Sequence, residues 1–264
     1  MLDDVLSRAE AAAGHARLAT PDGRARLLTG VADALDADAG TLVPLAHRET
    51  RLPEARLTGE LRRTTFQLRL FAERLRSGAL DDVAVDHADP GRPMGARPDI
   101  RRTTVPLGPV LVFAASNFPF ALSVRGGDTA SALAAGCPVV VKAHPGHPEL
   151  SRRTASGAAT ALDAAGAPAG LLQLVEGERS GVRAVRDRRI KRAVRDRRIK
   201  AVGFTGSTRG GRHLFDLAAA RPDPIPFYGE LGSTNPVVLV ARTTSSRRPR
   251  RALPTIRSVA PSPP

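Results

Sequence analysis

Four short, continuous apolar runs lie in the second half of the sequence, and stretches with helical periodicity separate them. Strands that are apolar on both sides need cover on both faces, which a parallel sheet between two layers of helices provides. The sequence therefore predicts an α/β fold built on an open, doubly wound parallel sheet. The runs are VLVFAA (110–115), PVVVK (138–142), LLQLV (171–175) and KAVGF (200–204), and we expect helices near 127–135, 149–165, 181–198 and 207–220. Gly136 and Gly166 stand where two of these helices should end in a left-handed residue.

The first eighty residues have a different pattern, which predicts helices. Apolar positions recur at steps of three and four residues over 2–17 and 21–38. Thr20 and Pro21 are typical of a helix start, because a Thr side chain caps free N–H groups and Pro fits the first turn. A third amphipathic pattern ends at Gly78.

Residues 81–105 predict a two-stranded arm, because two alternating segments flank a stretch rich in turn-forming residues. These patterns divide the chain in sequence order. We expect N-terminal helices over 1–80, a hairpin arm over 81–105, a sheet domain over 106–229, the start of a further domain over 230–240, and a disordered tail rich in Arg, Pro and Ser over 241–264.

The net charge of +14 comes from two segments and not from the whole chain. The nonapeptide RAVRDRRIK occurs twice in tandem, at 183–191 and 192–200, and the two copies together carry +8. The last 24 residues carry +6, which leaves the rest of the chain neutral. Proteins that bind single strands stack bases on aromatic side chains, and this chain has only eight Phe, one Tyr and no Trp. We therefore predict solvated charge runs and no nucleic-acid partner.

Composition excludes several other classes of protein. One Cys, Cys137, cannot build a disulfide scaffold or a Cys-rich zinc module. No run approaches the roughly 18 apolar residues that cross a bilayer, so we predict no membrane partner. The acidic start Met-Leu-Asp-Asp lacks the segments of a signal peptide, which favours a cytoplasmic location. His144 and His147 flank a Pro-Gly turn, and their spacing does not predict a metal site.

Polar and Gly-rich segments follow each of the four apolar runs. In a doubly wound sheet, ligands bind beyond the carboxyl ends of the strands, so these segments should line the functional site. The last of them combines a strand, a Gly turn and a helix that opens at Ser207, which directs N–H groups and a helix dipole toward a phosphate. Such connections also serve ordinary packing, and this alternative stays open for the loop alone. The segments are SNFPF (116–120), KAHPGHP (142–148), GERSG (177–181) and FTGSTRGG (204–211).

Four motifs in this order, FAASNFPF, AAGCPVVVK, VGFTGST and YGELGSTNP, resemble those of the aldehyde dehydrogenase superfamily. The surrounding sequence is similar to the branch that oxidises 2,5-dioxovalerate, also called α-ketoglutarate semialdehyde. The resemblance covers about residues 20 to 240. It implies a Rossmann-like NAD(P)-binding domain, a small-molecule aldehyde substrate, an arm that takes part in homo-oligomers, and a catalytic domain that begins near residue 230.

Two catalytic residues follow from the resemblance. Asn117 in SNFPF matches the family Asn whose amide holds the oxyanion, a contact worth about 3 kcal/mol in comparable sites. Its alternative role is to cap a turn before Pro119. Glu230 in ELGS matches the general base that activates water, and its alternative is an ordinary solvated carboxylate at a strand end.

The cofactor residues also follow from the resemblance. Lys142 matches a lysine that hydrogen-bonds the adenosine ribose, although it could instead extend to solvent. Pro145 stands where NAD-preferring relatives often carry an acid, and Arg179 could meet a 2′-phosphate, so NADP is favoured over NAD. The full set of predicted cofactor-binding residues is Lys142, Gly177, Arg179, Gly181, Phe204, Gly206, Ser207 and Gly211.

Two departures from the family limit the expected activity. The family nucleophile is a Cys that would fall near residue 264, and none stands there. Cys137, between a helix end and a strand, is expected to be a small buried thiol. The extra nonapeptide adds about 2.5 helical turns, so it should bulge as a loop or shift a helix register. We predict a chain without turnover of its own, or alternatively a noncatalytic nucleotide-binding remnant.

Overall fold

The computed structural model describes residues 2–177 and 188–232. Its first part is helical, as the apolar spacing predicts. Thr20 begins the third helix, and its hydroxyl oxygen accepts the N–H of Gly23 at 3.1 Å. The predicted helix over 2–17 is two helices, because the chain turns at Gly14 with a positive φ of 80°. The helices are α1 (Leu2–Ala12), α2 (Ala16–Ala19), α3 (Pro21–Ala37), α4 (Ala39–Thr50) and α5 (Glu54–Arg76).

Two short strands follow the helices. Strand β1 (Ala84–Asp86) pairs antiparallel with β2 (Ile100–Arg102), with Ala84 opposite Arg102. An isolated bridge between Asp89 and Arg97 extends the pairing toward the turn.

A five-stranded parallel sheet forms the centre of the described chain. From the middle strand β3, the chain adds β4 and β5 on one side and then β6 and β7 on the other, in the order β5-β4-β3-β6-β7. The carboxyl ends of β3 and β6 therefore flank a topological switch point, where such sheets bind ligands. The strands are β3 (Val110–Phe113), β4 (Val139–Lys142), β5 (Leu172–Val175), β6 (Ala201–Gly206) and β7 (Phe227–Leu231), and the connecting helices are α6 (Gly127–Ala134), α7 (Pro148–Ala164), α8 (Arg188–Arg195) and α9 (Thr208–Ala219).

Helices cover both faces of this sheet, and alternate residues of each strand belong to different apolar clusters. Val110 and Val112 of β3 pack in the larger cluster, with residues of α3, α5, α6 and α7; we call this side the α5 face. Leu111 and Phe113 pack in the smaller cluster, with residues of α1, α8 and α9; we call this side the α9 face. The predicted α/β class with an open, doubly wound sheet is confirmed.

Two turn glycines behave as predicted. Gly136 and Gly166 have positive φ values of 77° and 72° and end α6 and α7. The sheet itself extends further than the sequence indicates. The predicted sheet domain ends at residue 229, whereas β7 continues to Leu231 because Thr205 and Gly206 of β6 pair with Glu230 and Leu231.

The second nonapeptide copy is part of the core. Ala193 and Val194 of α8 and Ile199 after it are buried on the α9 face. The described part of the predicted helix over 181–198 is therefore α8 alone, at 188–195. Most of the first copy, residues 183–187, lies outside the described residues.

Candidate functional site

The carboxyl ends of the five strands lie at one edge of the sheet, which we call the carboxyl edge. Phe113 of β3 is in register with Lys142 of β4 and with Phe204 of β6, and Phe204 is in register with Gly229 of β7. The predicted site residues that follow these strands therefore share this edge. The strand spacing of about 4.8 Å separates neighbouring loops.

The loop that carries Asn117 begins directly beyond β3. The Asn117 side chain is exposed, whereas its backbone carbonyl accepts Nη2 of Arg56 from α5 at 2.8 Å. The chain then makes one turn, in which the N–H of Leu122 donates to the carbonyl of Phe118 at 3.0 Å. The N–H of Ala115 donates to the carbonyl of Leu122 at 2.7 Å and closes the loop. The Asn117 side chain therefore projects from a loop whose backbone is held by hydrogen bonds.

A buried carboxylate contacts the same loop, and the sequence analysis did not identify it. Glu60 of α5 is only 5% exposed, and its Oε1 accepts the N–H groups of Phe120 at 2.7 Å and Ala121 at 2.9 Å. Burial raises the pKa of this carboxyl, and the two backbone N–H groups oppose that shift. Its partners lie sixty residues along the chain, so no local pattern could have signalled the contact.

The two histidines after β4 also contact this region. His147 is fully buried, and its Nε2 lies 2.9 Å from the carbonyl oxygen of Ala115, which can only accept. Its Nδ1 lies 3.1 Å from the Ser151 hydroxyl. His144 stacks on His147 with ring centroids 5.6 Å apart and accepts the Gly146 N–H at Nδ1. Burial, with smaller contributions from His147 and Lys142, lowers the pKa of His144 to about 4, so its ring is neutral at pH 7.

Lys142 is the last residue of β4 and is 4% exposed. It follows Val140 by two residues in the same strand, so both residues lie on the same face of the sheet, the α9 face. Its carbonyl accepts the N–H of Ala114 at 3.1 Å, which fixes its backbone against the start of the Asn117 loop. Gly177 follows β5 by two residues and is half-buried, and Arg179 and Gly181 lie outside the described residues.

The segment after β6 begins a helix on the α9 face. Ser207 is the N-cap of α9, with extended backbone angles, and its hydroxyl accepts the N–H of Gly210 at 3.2 Å. The N-terminus of α9 therefore stands at the carboxyl edge, next to the switch point. A helix N-terminus at this place favours an anion such as a phosphate.

Three of the predicted cofactor residues have packing contacts in this structure. The Phe204 ring is 8% exposed and packs against Phe113 and Phe227, with ring centroids 5.7 and 6.3 Å away. A Cβ added at Gly211 would meet a methyl group of Leu231, so this glycine allows α9 to approach β7. At Gly206 an added Cβ would lie 2.8 Å from the Phe204 ring. These contacts explain the residue types without a ligand.

Glu230 lies in the exposed edge strand β7, and Asp128 stands near it on the α5 face. Glu230 pairs with Thr205, and Thr205 lies two residues after Gly203 in β6, so Gly203 and Glu230 share one face of the sheet. Asp128 is close to this face, because its Oδ2 lies 3.1 Å from a Cβ atom added at Gly203. Burial raises the pKa of Asp128, and the negative charge of Glu230 raises it further. The sequence analysis missed Asp128, whose signal is a carboxylate in the first turn of α6 after two glycines.

Cys137 lies at the other end of the sheet. It precedes Lys142 by five residues, about 16 Å along an extended chain, and its side chain is buried with Sγ 3.9 Å from the Ala135 carbonyl oxygen. Among the described residues, no three His, Cys, Asp or Glu side chains gather as a metal site would require. No helix within the described ranges has both the length and the apolar character to cross a bilayer.

Comparison with known proteins decides the family. The profile of the aldehyde dehydrogenase family matches residues 1–248. The chain belongs to the aldehyde dehydrogenase family. It is 46% identical over 224 residues to alpha-ketoglutaric semialdehyde dehydrogenase 2 of Azospirillum brasilense, covering 85% of this chain and 41% of that protein. It is 42% identical over 239 residues to alpha-ketoglutaric semialdehyde dehydrogenase of Acinetobacter baylyi, covering 90% of this chain and 44% of that protein.

Solved aldehyde dehydrogenases have the same fold. A benzaldehyde dehydrogenase from Corynebacterium glutamicum, described as NAD-dependent, matches with a TM-score of 0.71 and 25% identity, over 88% of this chain and 45% of that one. A 3,6-anhydro-L-galactose dehydrogenase solved in complex with NAP matches with a TM-score of 0.72 and 25% identity, over 87% of this chain and 43% of that one. The chain spans less than half the length of the curated aldehyde dehydrogenases it matches.

Proposed function

We propose that this chain is the NAD(P)-binding portion of an aldehyde dehydrogenase that oxidises α-ketoglutaric semialdehyde or a similar semialdehyde. The observation that carries the proposal is the carboxyl edge, where the Asn117 loop, Lys142 and the N-terminus of α9 all begin at neighbouring strand ends. The names of the two relatives at 46% and 42% identity support the substrate class.

The residues at this edge fit a dinucleotide. The α9 N-terminus begins at Ser207 and would hold a phosphate through backbone N–H groups. Lys142, buried at the end of β4 on the same face, would donate to the adenosine ribose. Gly177, Arg179 and Gly181 belong to the segment after β5 and would complete the adenosine side of the site. The packing contacts of Phe204 and Gly211 suggest that these two residues support the site without touching the cofactor.

NADP is the preferred cofactor in this proposal, with NAD as the alternative. Pro145 leaves the ribose side of the loop without a carboxylate, and Lys142 adds positive charge beside it. A 2′-phosphate would therefore meet no carboxylate from the 142–148 loop, and Arg179 could pair with it.

The catalytic roles divide between the cofactor and the chain. A bound nicotinamide would supply the hydride acceptor for the oxidation. Asn117, exposed on its hydrogen-bonded loop, would donate its amide N–H to the oxygen that becomes negative. Glu230 would remove a proton from water, and its negative charge raises the pKa of the nearby Asp128 carboxyl.

The 264-residue polypeptide itself should bind cofactor without oxidising an aldehyde. Its one Cys is buried at the amino end of β4, away from the carboxyl edge. We place the chain in the cytoplasm and expect the β1–β2 arm to take part in a homo-oligomer, as the family resemblance implies. The second candidate is a noncatalytic nucleotide-binding remnant, which the same position of Cys137 favours.

NADPH and NADH fluorescence on titration of the purified chain tests the proposal. We expect saturable binding, at least tenfold tighter for NADPH, that weakens at least tenfold in Lys142→Ala. The matched control is Asn117→Ala, which should bind the cofactor as the unmodified chain does. No binding at millimolar NADPH or NADH would refute the cofactor role. Release of acid from α-ketoglutaric semialdehyde by the same chain would refute the expected lack of turnover.

A further inference from the structure

We propose that Glu60 of α5, assisted by Arg56 one turn earlier, is a positioning residue that holds the Asn117 amide in place. The proposal rests on the role of Asn117 in the proposed function. It assigns to the N-terminal helices a part in the chemistry at the carboxyl edge, in addition to their packing against the sheet.

The turn after Asn117 creates a specific need for an acceptor. Phe118 to Leu122 form a single helical turn through the bond from the Leu122 N–H to the Phe118 carbonyl. The N–H groups at the start of such a turn have no partner within it. Pro119 has no N–H group, so the ones that need an acceptor are those of Phe120 and Ala121. Both residues are buried, which removes water as an acceptor.

Glu60 meets this need with one oxygen atom. Its Oε1 accepts both N–H groups, at 2.7 and 2.9 Å. Its Oε2 is buried and has no hydrogen-bond partner among the described residues. A carboxylate in this position costs desolvation energy, so packing alone does not account for it, since an apolar residue would fill the space without that cost. The charge suits two N–H donors, because hydrogen bonds to ionised acceptors are about twice as strong as neutral ones.

Arg56 contacts the backbone of Asn117 itself. Its Nη2 donates to the Asn117 carbonyl at 2.8 Å, and its guanidinium lies 5.0 Å from the centre of the Phe118 ring. His147 at the start of α7 bonds the Ala115 carbonyl. The backbone is thus fixed on both sides of Asn117, while the Asn117 side chain stays exposed. An oxyanion donor is effective when its position is set before the charge develops.

Among the described residues, two titratable side chains act on the Glu60 carboxyl. Arg56 comes from its own helix, and His147 comes from the start of α7; both favour the ionised carboxylate. Burial opposes them and favours the neutral acid. Both forms keep an oxygen that can accept from Phe120 and Ala121, so a neutral isostere should serve in place of the carboxylate.

NMR of the full 264-residue chain tests the positioning role. The side-chain amide signals of Asn117 are assigned by their loss in Asn117→Asp. Glu60→Ala should shift these signals and speed hydrogen exchange at the Phe120 and Ala121 amides at least tenfold. Glu60→Gln, which keeps an acceptor oxygen, should restore the Asn117 signals and at least half of the lost protection on a logarithmic scale. Glu73→Gln, an exposed change on the same helix, is the matched control and should alter neither measurement.

Two further measurements keep the outcomes separate. Arg56→Ala removes an exposed side chain and should shift the Asn117 signals even if Glu60→Ala does not fold. NADPH binding should persist in Arg56→Ala, because the positioning role concerns the Asn117 loop and not the cofactor residues. If the unmodified chain fails to bind cofactor, that result contradicts the proposed function and leaves the positioning role intact. The positioning role is refuted if Glu60→Ala lowers stability with unchanged Asn117 signals, if Glu60→Gln behaves like Glu60→Ala, or if Arg56→Ala leaves the Asn117 signals unchanged.

Discussion

The two faces of the sheet are covered by helices from different parts of the chain. On the α5 face, α3 to α7 come from one continuous stretch that ends before β5, and their cluster includes fully buried residues such as Leu28 and Leu61. On the α9 face, α1 comes from the first twelve residues and α8 and α9 from residues 188–219. The α5 face can therefore form from neighbouring segments, whereas the α9 face requires contact between distant ones, at a higher loop-closure cost.

The largest expected effect comes from opening a cavity in each face. Leu28 on α3 and Leu214 on α9 are both fully buried. Leu28→Ala should lower the free energy of unfolding by about 4 kcal/mol, and Leu214→Ala by about 2.5 kcal/mol, because the smaller cluster can relax more completely around the cavity. Urea denaturation followed by circular dichroism measures both values. An equal or larger loss for Leu214→Ala would remove the distinction between the faces.

Replacing a buried arginine should have the opposite order of effects, with a larger loss of stability on the α9 face than on the α5 face. Arg221, after α9, donates to the carbonyls of Val194 and Ile199 at 3.0 Å each. Val194 lies in the last turn of α8, where carbonyls have no helical partner, so Arg221→Met should cost about 2 kcal/mol.

Arg125 on the α5 face is the matched control for Arg221. It donates to the carbonyls of Thr154 and Val31, which lie inside helices and already accept helical bonds. Burial lowers its pKa to about 10 and still leaves it charged at pH 7. Because the buried charge itself is costly, Arg125→Met should change the free energy of unfolding by less than about 1 kcal/mol. Comparable losses in the two variants, again by urea denaturation, would contradict this explanation.

Local chemistry explains which parts of this fold the sequence predicts. The apolar runs, the Thr20 cap and Gly136 are determined by residues within a few positions of one another, and the structure agrees at each of them. Strand β7 was not among the predicted apolar runs, because FYGEL has no apolar alternation and becomes a strand only through pairing with β6. Glu60 resembled one more polar residue on an amphipathic helix, since its partners are sixty residues away.

Acid should destabilise the fold through His144, which follows β4 at the carboxyl edge. Its pKa is about 4 in the folded chain and about 6.5 when unfolded. Between these values the unfolded chain binds more protons, so the free energy of unfolding should fall by about 1 kcal/mol as the pH drops from about 6.5 to about 5.5. His144→Asn, whose side-chain oxygen can accept the Gly146 N–H, should remove this part of the pH dependence of the melting temperature. An unchanged pH dependence in His144→Asn would contradict the assignment.

The smallest effect concerns the ion pair that ties α1 to the second nonapeptide on the α9 face. Arg198 is largely buried, and its Nη2 lies 2.6 Å from Asp3 Oδ1 and 2.8 Å from Asp196 Oδ2. Asp3 is mostly exposed, so Asp3→Asn should cost only about 0.5 kcal/mol. This cost should shrink further in 1 M NaCl because salt screens an exposed pair.

The repeated sequence supplies the control for this pair. Arg189 occupies in the first copy the position that Arg198 has in the second, so the residue type and its preceding neighbours in the sequence are the same at both sites. A double-mutant cycle in urea should give a coupling of about 0.5 kcal/mol between Asp3→Asn and Arg198→Met, and none between Asp3→Asn and Arg189→Met. Coupling to Arg189 would mean that the first copy can take the place of the second beneath α1. Either nonapeptide could then pack beneath α1, so the α9 face would have two alternative chain registers, whereas the α5 face has one.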